Sequence, residues 1–220
     1  MSILVFAPHA DDEILGAGGM MLRRISEKED VFVCVVTKGT EPLFSQAYAE
    51  QLRKETLDCH KAMGIKKTFF LEFPAVMLEK ENRYELNQKI DEVIQTVDPD
   101  EVYIPHIGDM QKDHQIVAES VMVAVRPKKV KKISRIYTYE TLSETGWNIP
   151  NIQNEFIPNV YVDISDFLQE KIEAMAKYQS QLGEFPAARS LQAIEALARF
   201  RGATVHTDAA EAFMLVREIR

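Results

Sequence analysis

The chain has 220 residues, 46% hydrophobic and 27% charged, with a formal net charge of −8, which suits one globular domain whose core needs no staple. The acidic balance argues against nucleic acid or an anionic membrane surface as the main partner, and no apolar run approaches the ~20 residues of a membrane span. The opening ILVFAP is too short for a signal segment, and Cys34 and Cys59 sit in apolar-patterned stretches as buried or unpaired thiols, so a reducing cytoplasm is expected.

In chain order, Ile3 to Pro8 reads as a buried strand, followed by a helix over roughly Ile14 to Glu29. Val31 to Thr37 is the next strand, closed by Lys38-Gly39-Thr40, and Ala47 to Met63 has helical spacing with Gly64 as its stop. Lys67 to Phe73 is a third strand, Leu86 to Val97 a helix ended by Asp98-Pro99, and Glu101 to His106 a fourth strand. His114 to Val125 is a further helix, and Ser134 to Glu140 a fifth strand. Between them the basic run Arg126 to Lys132 lacks interleaved aromatics and reads as a solvated loop. Asn159 to Ser165 is a sixth strand, then come helices over Asp166 to Gln181 and Ser190 to Arg201 and a last element near Ala210 to Arg217. Strand–helix–strand repetition with β-rich runs such as VFVCVVT implies an α/β three-layer fold with a mostly parallel central sheet. No linker, repeat or low-complexity tract interrupts it, so residues 1–220 read as a single domain.

Open parallel sheets bind ligands at the carboxyl ends of their strands. Two loops there carry metal-ligand chemistry: one holds His9, Asp11, Asp12 and Glu13, the other His106, Asp109, Asp113 and His114. Helix-start amides and the helix dipole account for the acids, but not for His9 or for a second histidine–acid cluster on an equivalent strand end. A catalytic zinc site, with three protein ligands of nitrogen and oxygen type, accounts for both. His9 and Asp12 reach one point from the strand-to-helix turn, His114 supplies the third ligand, and Asp11 is left free as a base. Glu13 then only opens the helix.

HADDE followed by LGAGG resembles the opening motif of the PIG-L/LmbE-like deacetylase family, with Ala10 where that family usually has proline. Asp109 to His114 (DMQKDH) resembles its second metal motif. The resemblance continues through YETLSETGW, FIPNVYVDIS, Ala188-Arg189-Ser190 and AEAFMLVR, so it spans nearly the whole chain. It implies one LmbE-like domain with a Rossmann-like sheet. It also implies a zinc-dependent hydrolase that removes the N-acetyl group from an N-acetylglucosamine-type sugar or sugar conjugate. Carried over, His9, Asp12 and His114 match the ligands of one Zn2+ per chain and Asp11 the general base, while Arg53 matches a position that contacts substrate in relatives. The implied partner is a small N-acetylated amino sugar or its conjugate, and self-association into a homo-oligomer is left open. Gln111 stands where many members have histidine, so an uncharged amide replaces a candidate for polarising the acetyl carbonyl.

Asp113 is expected to hydrogen-bond a histidine. Gln111, His206 or an arginine are candidate oxyanion donors, and His106 at a strand end and Arg189 in the loop EFPAARS are candidate substrate contacts. His60 is expected at the surface or in an interface, and Trp147 either stacks on a sugar or packs. Gly16, Gly18 and Gly19 do not form GxGxxG and follow acids, so they read as close helix–sheet packing and not as a dinucleotide site. Two other readings remain: a zinc amidase cleaving a different amide such as a thiol-conjugate, and a metal-stabilised ligand-binding module without turnover. Asp11, left over once the ligands are assigned, speaks against the module.

Overall fold

The computed structural model describes residues 1–127 and 133–220; the expected basic loop, residues 126–132, falls largely outside them. β1 (Ser2–Ala7), β2 (Asp30–Lys38), β3 (Lys67–Pro74), β4 (Glu101–Pro105) and β5 (Arg135–Tyr139) alternate with α1 (Asp12–Ser26), α2 (Gln46–Met63), α3 (Arg83–Val97) and α4 (Lys112–Ala124). The chain continues through β6 (Val160–Asp163), α5 (Leu168–Met175) and α6 (Leu191–Ala203) to β7 (Ala210–Glu218). The sheet order is β3-β2-β1-β4-β5-β7-β6. β1 to β5 are parallel, and the last element proves to be a strand that runs antiparallel to both β5 and β6.

Alternate residues of each inner strand feed opposite cores, which is why these runs read as continuously apolar. Ile3, Val5, Val33 and Tyr103 pack with Met20, Met21 and Met63 on one face. Leu4, Phe6, Val36 and Val102 pack with Leu86, Ile90 and Val121 on the other. Cys59 belongs to the first core and Cys34 to the second, both free, and burial pushes both thiols up.

Gly64 ends α2 at φ 87°, a conformation cheap only for glycine. α1 starts at Asp12, two residues earlier than its apolar pattern suggests, so Asp12 and Glu13 lie inside the helix. α5 is shorter than expected: beyond Met175 the chain turns and carries Tyr178 inward, where its hydroxyl donates to Glu13 at 2.6 Å. The glycines of α1 do permit close packing. A Cβ on Gly16 would lie 2.1 Å from the ring of Tyr139, and one on Gly19 within 2.9 Å of Ile164. Tyr139 cannot yield, because it is fully buried and its hydroxyl donates to the Phe6 carbonyl at 2.8 Å. Gly16→Ala should therefore lower stability by about 3 kcal/mol, read as a shift of the denaturant midpoint; an unchanged midpoint would contradict this packing.

Candidate metal centre and active site

Sheet order reverses between β1 and β4: α1 follows β1 on one face and α4 follows β4 on the other. The loops beyond these two strands therefore diverge and leave a crevice at the carboxyl edge. His9 lies in the loop after β1, Asp12 opens α1, and His114 sits in the first turn of α4. Asp11, the N-cap of α1, is held at φ 115°. This conformation is strained for a residue with a side chain and is found most often at functional turns.

His9, Asp12 and His114 offer ligand atoms that all lie within 4.8 Å of one another. One Asp12 oxygen is 3.1 Å from His9 Nδ1 and 3.2 Å from His114 Nε2. Ligands bound tetrahedrally at ~2.0 Å from zinc would be about 3.3 Å apart, so these spacings fit. Asp12 Oδ1, the oxygen other than the one just measured, is buried without a hydrogen bond among the described residues, and His114 Nε2 meets only the ion-pair contact with Asp12 Oδ2, so both can turn to a cation. The far nitrogen of each histidine is held by a carboxylate: His9 Nε2 lies 3.0 Å from Asp113, and His114 Nδ1 lies 2.9 Å from Asp109. This carboxylate–histidine pairing orients imidazole ligands in metal sites. Asp113 is itself anchored by the Val76 and Leu78 N–H groups, and Asp109 accepts the Thr145 hydroxyl at 2.6 Å.

Burial opposes charge on both histidines, but the Asp113 and Asp12 carboxylates raise His9 to about 9, and Asp12 and Asp109 raise His114 to about 10. Burial likewise pushes Asp12 up, yet the two imidazoles hold it well below the usual carboxylate range. A metal entering at neutral pH thus displaces two protons, and its affinity should climb about 100-fold per pH unit. Zinc titrations by calorimetry in buffers of different ionisation enthalpy check this; zinc binding at pH 7 without proton release would contradict it.

Asp11 is buried beside this group, and neither of its oxygens has a hydrogen bond among the described residues. Burial and the adjacent Asp12 push its carboxyl well above the usual range, against the Arg189 guanidinium, whose Nε lies 3.3 Å away. Glu13 is more than a helix start. Its carboxylate accepts the Asp11 N–H at 3.2 Å and the Tyr178 hydroxyl, and it meets His60 Nε2 at 3.0 Å. The expectation that His60 lies at the surface or in an interface is corrected accordingly: it is buried, with its other nitrogen 2.7 Å from Thr68 Oγ1. Helical periodicity could not reveal this, because its partners come from α1 and β3.

A cavity of about 220 Å³ opens from the centre, lined by His9, Asp11, Gln111, Arg53 and Arg189 among others. Gln111 caps α4: its carbonyl oxygen accepts the Asp113 N–H, which turns its NH2 toward His9 at 3.3 Å. Two expected histidines are not brought here. His106 is buried with Nε2 3.1 Å from the Asn154 carbonyl and its ring against Phe156, while His206 is exposed in the turn between α6 and β7. Neither lines the cavity. Trp147 does not line it either and does not pack, being 79% exposed. The role of Asp109 was not foreseen; the signal was its place five residues before His114, one loop turn away from the ligand.

Fold and site together define a class: α/β proteins with a His–Asp–His group able to hold a metal at the sheet's switch point. The chain belongs to the PIG-L family, described as GlcNAc-PI de-N-acetylase, whose model matches residues 4–125. A protein of Bacillus cereus named as a probable N-acetyl-alpha-D-glucosaminyl L-malate deacetylase 2 is 27% identical over 81% of this chain and 83% of its own length. The N,N'-diacetylchitobiose deacetylase of Pyrococcus horikoshii shares the fold at TM-score 0.79 and 21% identity, covering 98% of this chain and 83% of that one. So does GalB, the 4-carboxy-2-hydroxymuconate hydratase of Pseudomonas putida, at TM-score 0.79 and 15% identity over 100% and 97%. Because both reactions occur on this fold, architecture alone does not decide the chemistry. No helix among the described residues is long and apolar enough to cross a membrane.

Proposed function

We propose that this chain is a zinc-dependent hydrolase of the cytoplasm, a single domain over residues 1–220 that removes the N-acetyl group from an N-acetylglucosamine-type sugar or sugar conjugate. The observation that carries the reading is Asp11: a buried carboxylate with no hydrogen bond among the described residues, beside a His–Asp–His group, at the head of a cavity. A module that merely used metal for stability would have no use for such an acid. The family and the Bacillus cereus relative, named for an N-acetylglucosaminyl malate, support the choice of amide.

His9, Asp12 and His114 would hold one zinc, leaving a coordination position open. The chemistry that zinc supplies when bound is Lewis acidity, polarising the acetyl carbonyl and easing deprotonation of water. Asp11 accepts a proton from the attacking water and then delivers it to the departing nitrogen. The C–O bond forms first, leaving a tetrahedral oxyanion; its collapse breaks the C–N bond once the nitrogen is protonated, and acetate and a free amine leave. Gln111 is placed to help the oxyanion. Its carbonyl is occupied by Asp113, and the Nε2 proton of His9 is spent on Asp113, so the glutamine N–H groups remain for the substrate. Arg189 sets the charge on Asp11, and Arg53 meets the substrate further along the cavity.

The test is an acetate-release screen over N-acetylated sugars and their conjugates with the zinc-loaded protein. Stoichiometric acetate and amine are expected from at least one. No acetate from any, or release of a different acyl product only, would overturn the reading.

A further inference from the structure

Beyond the metal group the cavity has an apolar wall. Phe44, just before α2, and Tyr48 and Leu52 in its first turns fall four residues apart, and the first two rings stack at 5.5 Å. Phe70 of β3 and Val76 in the loop beyond it line the same space. Two cations stand at this end, Lys38 and Arg53, and both pair with Glu72, which offsets one of their two charges. Lys38 Nζ lies 3.0 Å from its carboxylate and the Arg53 guanidinium pairs with the other oxygen. The guanidinium also covers the Phe70 ring at 4.0 Å.

Glu72 reaches these cations through an irregularity of β3. Pairing with β2 runs from Val35–Phe70 to Thr37–Phe73, so β3 carries an extra residue, and Glu72 takes φ 63°. Such bulges re-aim side chains near active sites. Against the opposing effect of burial, Lys38 and Arg53 keep the Glu72 carboxyl below its usual range. The third cation of the cavity, Arg189, faces Asp11. Among the described residues, every Lys and Arg lining the cavity therefore has a carboxylate partner, Lys38 and Arg53 sharing one.

We propose that the wall formed by Phe44, Tyr48, Leu52 and Phe70 seats an uncharged apolar group of the substrate, and that Glu72 weakens the hold of Lys38 and Arg53 on an anionic one. An aryl or alkyl group gains by leaving water for this wall. An anion instead finds both nearby cations paired with Glu72, which offsets one of their two charges, so it gains less here than two free cations would give it. The inference rests on the deacetylase reading for the position of the scissile amide. The apolar group enters either as the substituent at the sugar's anomeric carbon or as an acyl chain longer than acetyl.

Calorimetric binding of phenyl, methyl and carboxymethyl β-glucosaminide to the zinc-loaded chain tests the first source without needing turnover. The kcat/KM of N-hexanoyl against N-acetyl methyl glucosaminide tests the second. Phenyl should bind, or hexanoyl should react, about tenfold better than its parent, with carboxymethyl no better than methyl. Leu52→Ser should erase the preference. Glu72→Gln, at an exposed position that tolerates the change, should raise carboxymethyl affinity about tenfold by freeing Lys38 and Arg53. Tightest binding of the carboxymethyl compound by the unaltered protein, or no preference in either arm, would overturn the inference. Phenyl preference without acetate release from any substrate would overturn the deacetylase reading alone, and acetate release without apolar preference would overturn this inference alone.

Discussion

Asp11→Asn should keep a full equivalent of zinc and lower kcat by about three orders of magnitude. Asparagine has nearly the same shape and tolerates positive φ, so the turn at φ 115° survives. Its backbone N–H can still donate to Glu13, as that of Asp11 does. The three proposed ligand residues are untouched, so metal content should not change. What is lost is a group that can take a proton from water and return it to nitrogen. Metal analysis beside steady-state kinetics checks both halves of the expectation. Full activity with zinc retained would remove Asp11 as the base, whereas zinc loss would make it part of the ligand set.

His114→Ala should lose both metal and activity. Removing its imidazole takes one of three ligands away and leaves Asp109 as a buried carboxylate without its charged partner. Breaking a buried pair in this way costs about 3 kcal/mol, so the variant should also unfold at lower denaturant. Asp109→Asn separates the two effects: it keeps the ligand and removes only the group that orients it. That variant should bind zinc about 10- to 100-fold more weakly, which competition with a chelator measures. A full equivalent of metal in purified His114→Ala would overturn the ligand set.

Much of this was legible because the relevant information is local. Val31 to Thr37 reads as a buried strand from its composition, and β2 spans Asp30–Lys38. His9 and Asp12 share a turn, so their separation along the chain already limits their separation in space. The run from Asp109 to His114 is equally short, so its candidate ligand His114 was legible, although the contact of Asp109 with that imidazole was not. Other members of the site come from far along the chain. Tyr178 is 165 residues from Glu13, and its arrival shortens the helix that periodicity extended to Gln181. His60 has the neighbours of a surface residue in sequence, yet it is buried because α2 lays it against α1 and β3. His106 and His206 had suitable chemistry but occupy places that the chain path turns away from the cavity.

The amino-acid order by itself determined the α/β alternation, the strand ends and the two histidine–acid motifs. These depend on side-chain periodicity and on spacings of a few residues, over which backbone geometry is nearly rigid. Only the tertiary structure decided that β1 and β4 are neighbours at the point where the sheet order reverses, which brings His114 to His9 and Asp12. It alone gave Arg189 to Asp11, and Glu72 to Lys38 and Arg53. Those pairings depend on strand order, a bulge and the path of a long loop, and each is settled by the packing of the whole core rather than by any short stretch of it.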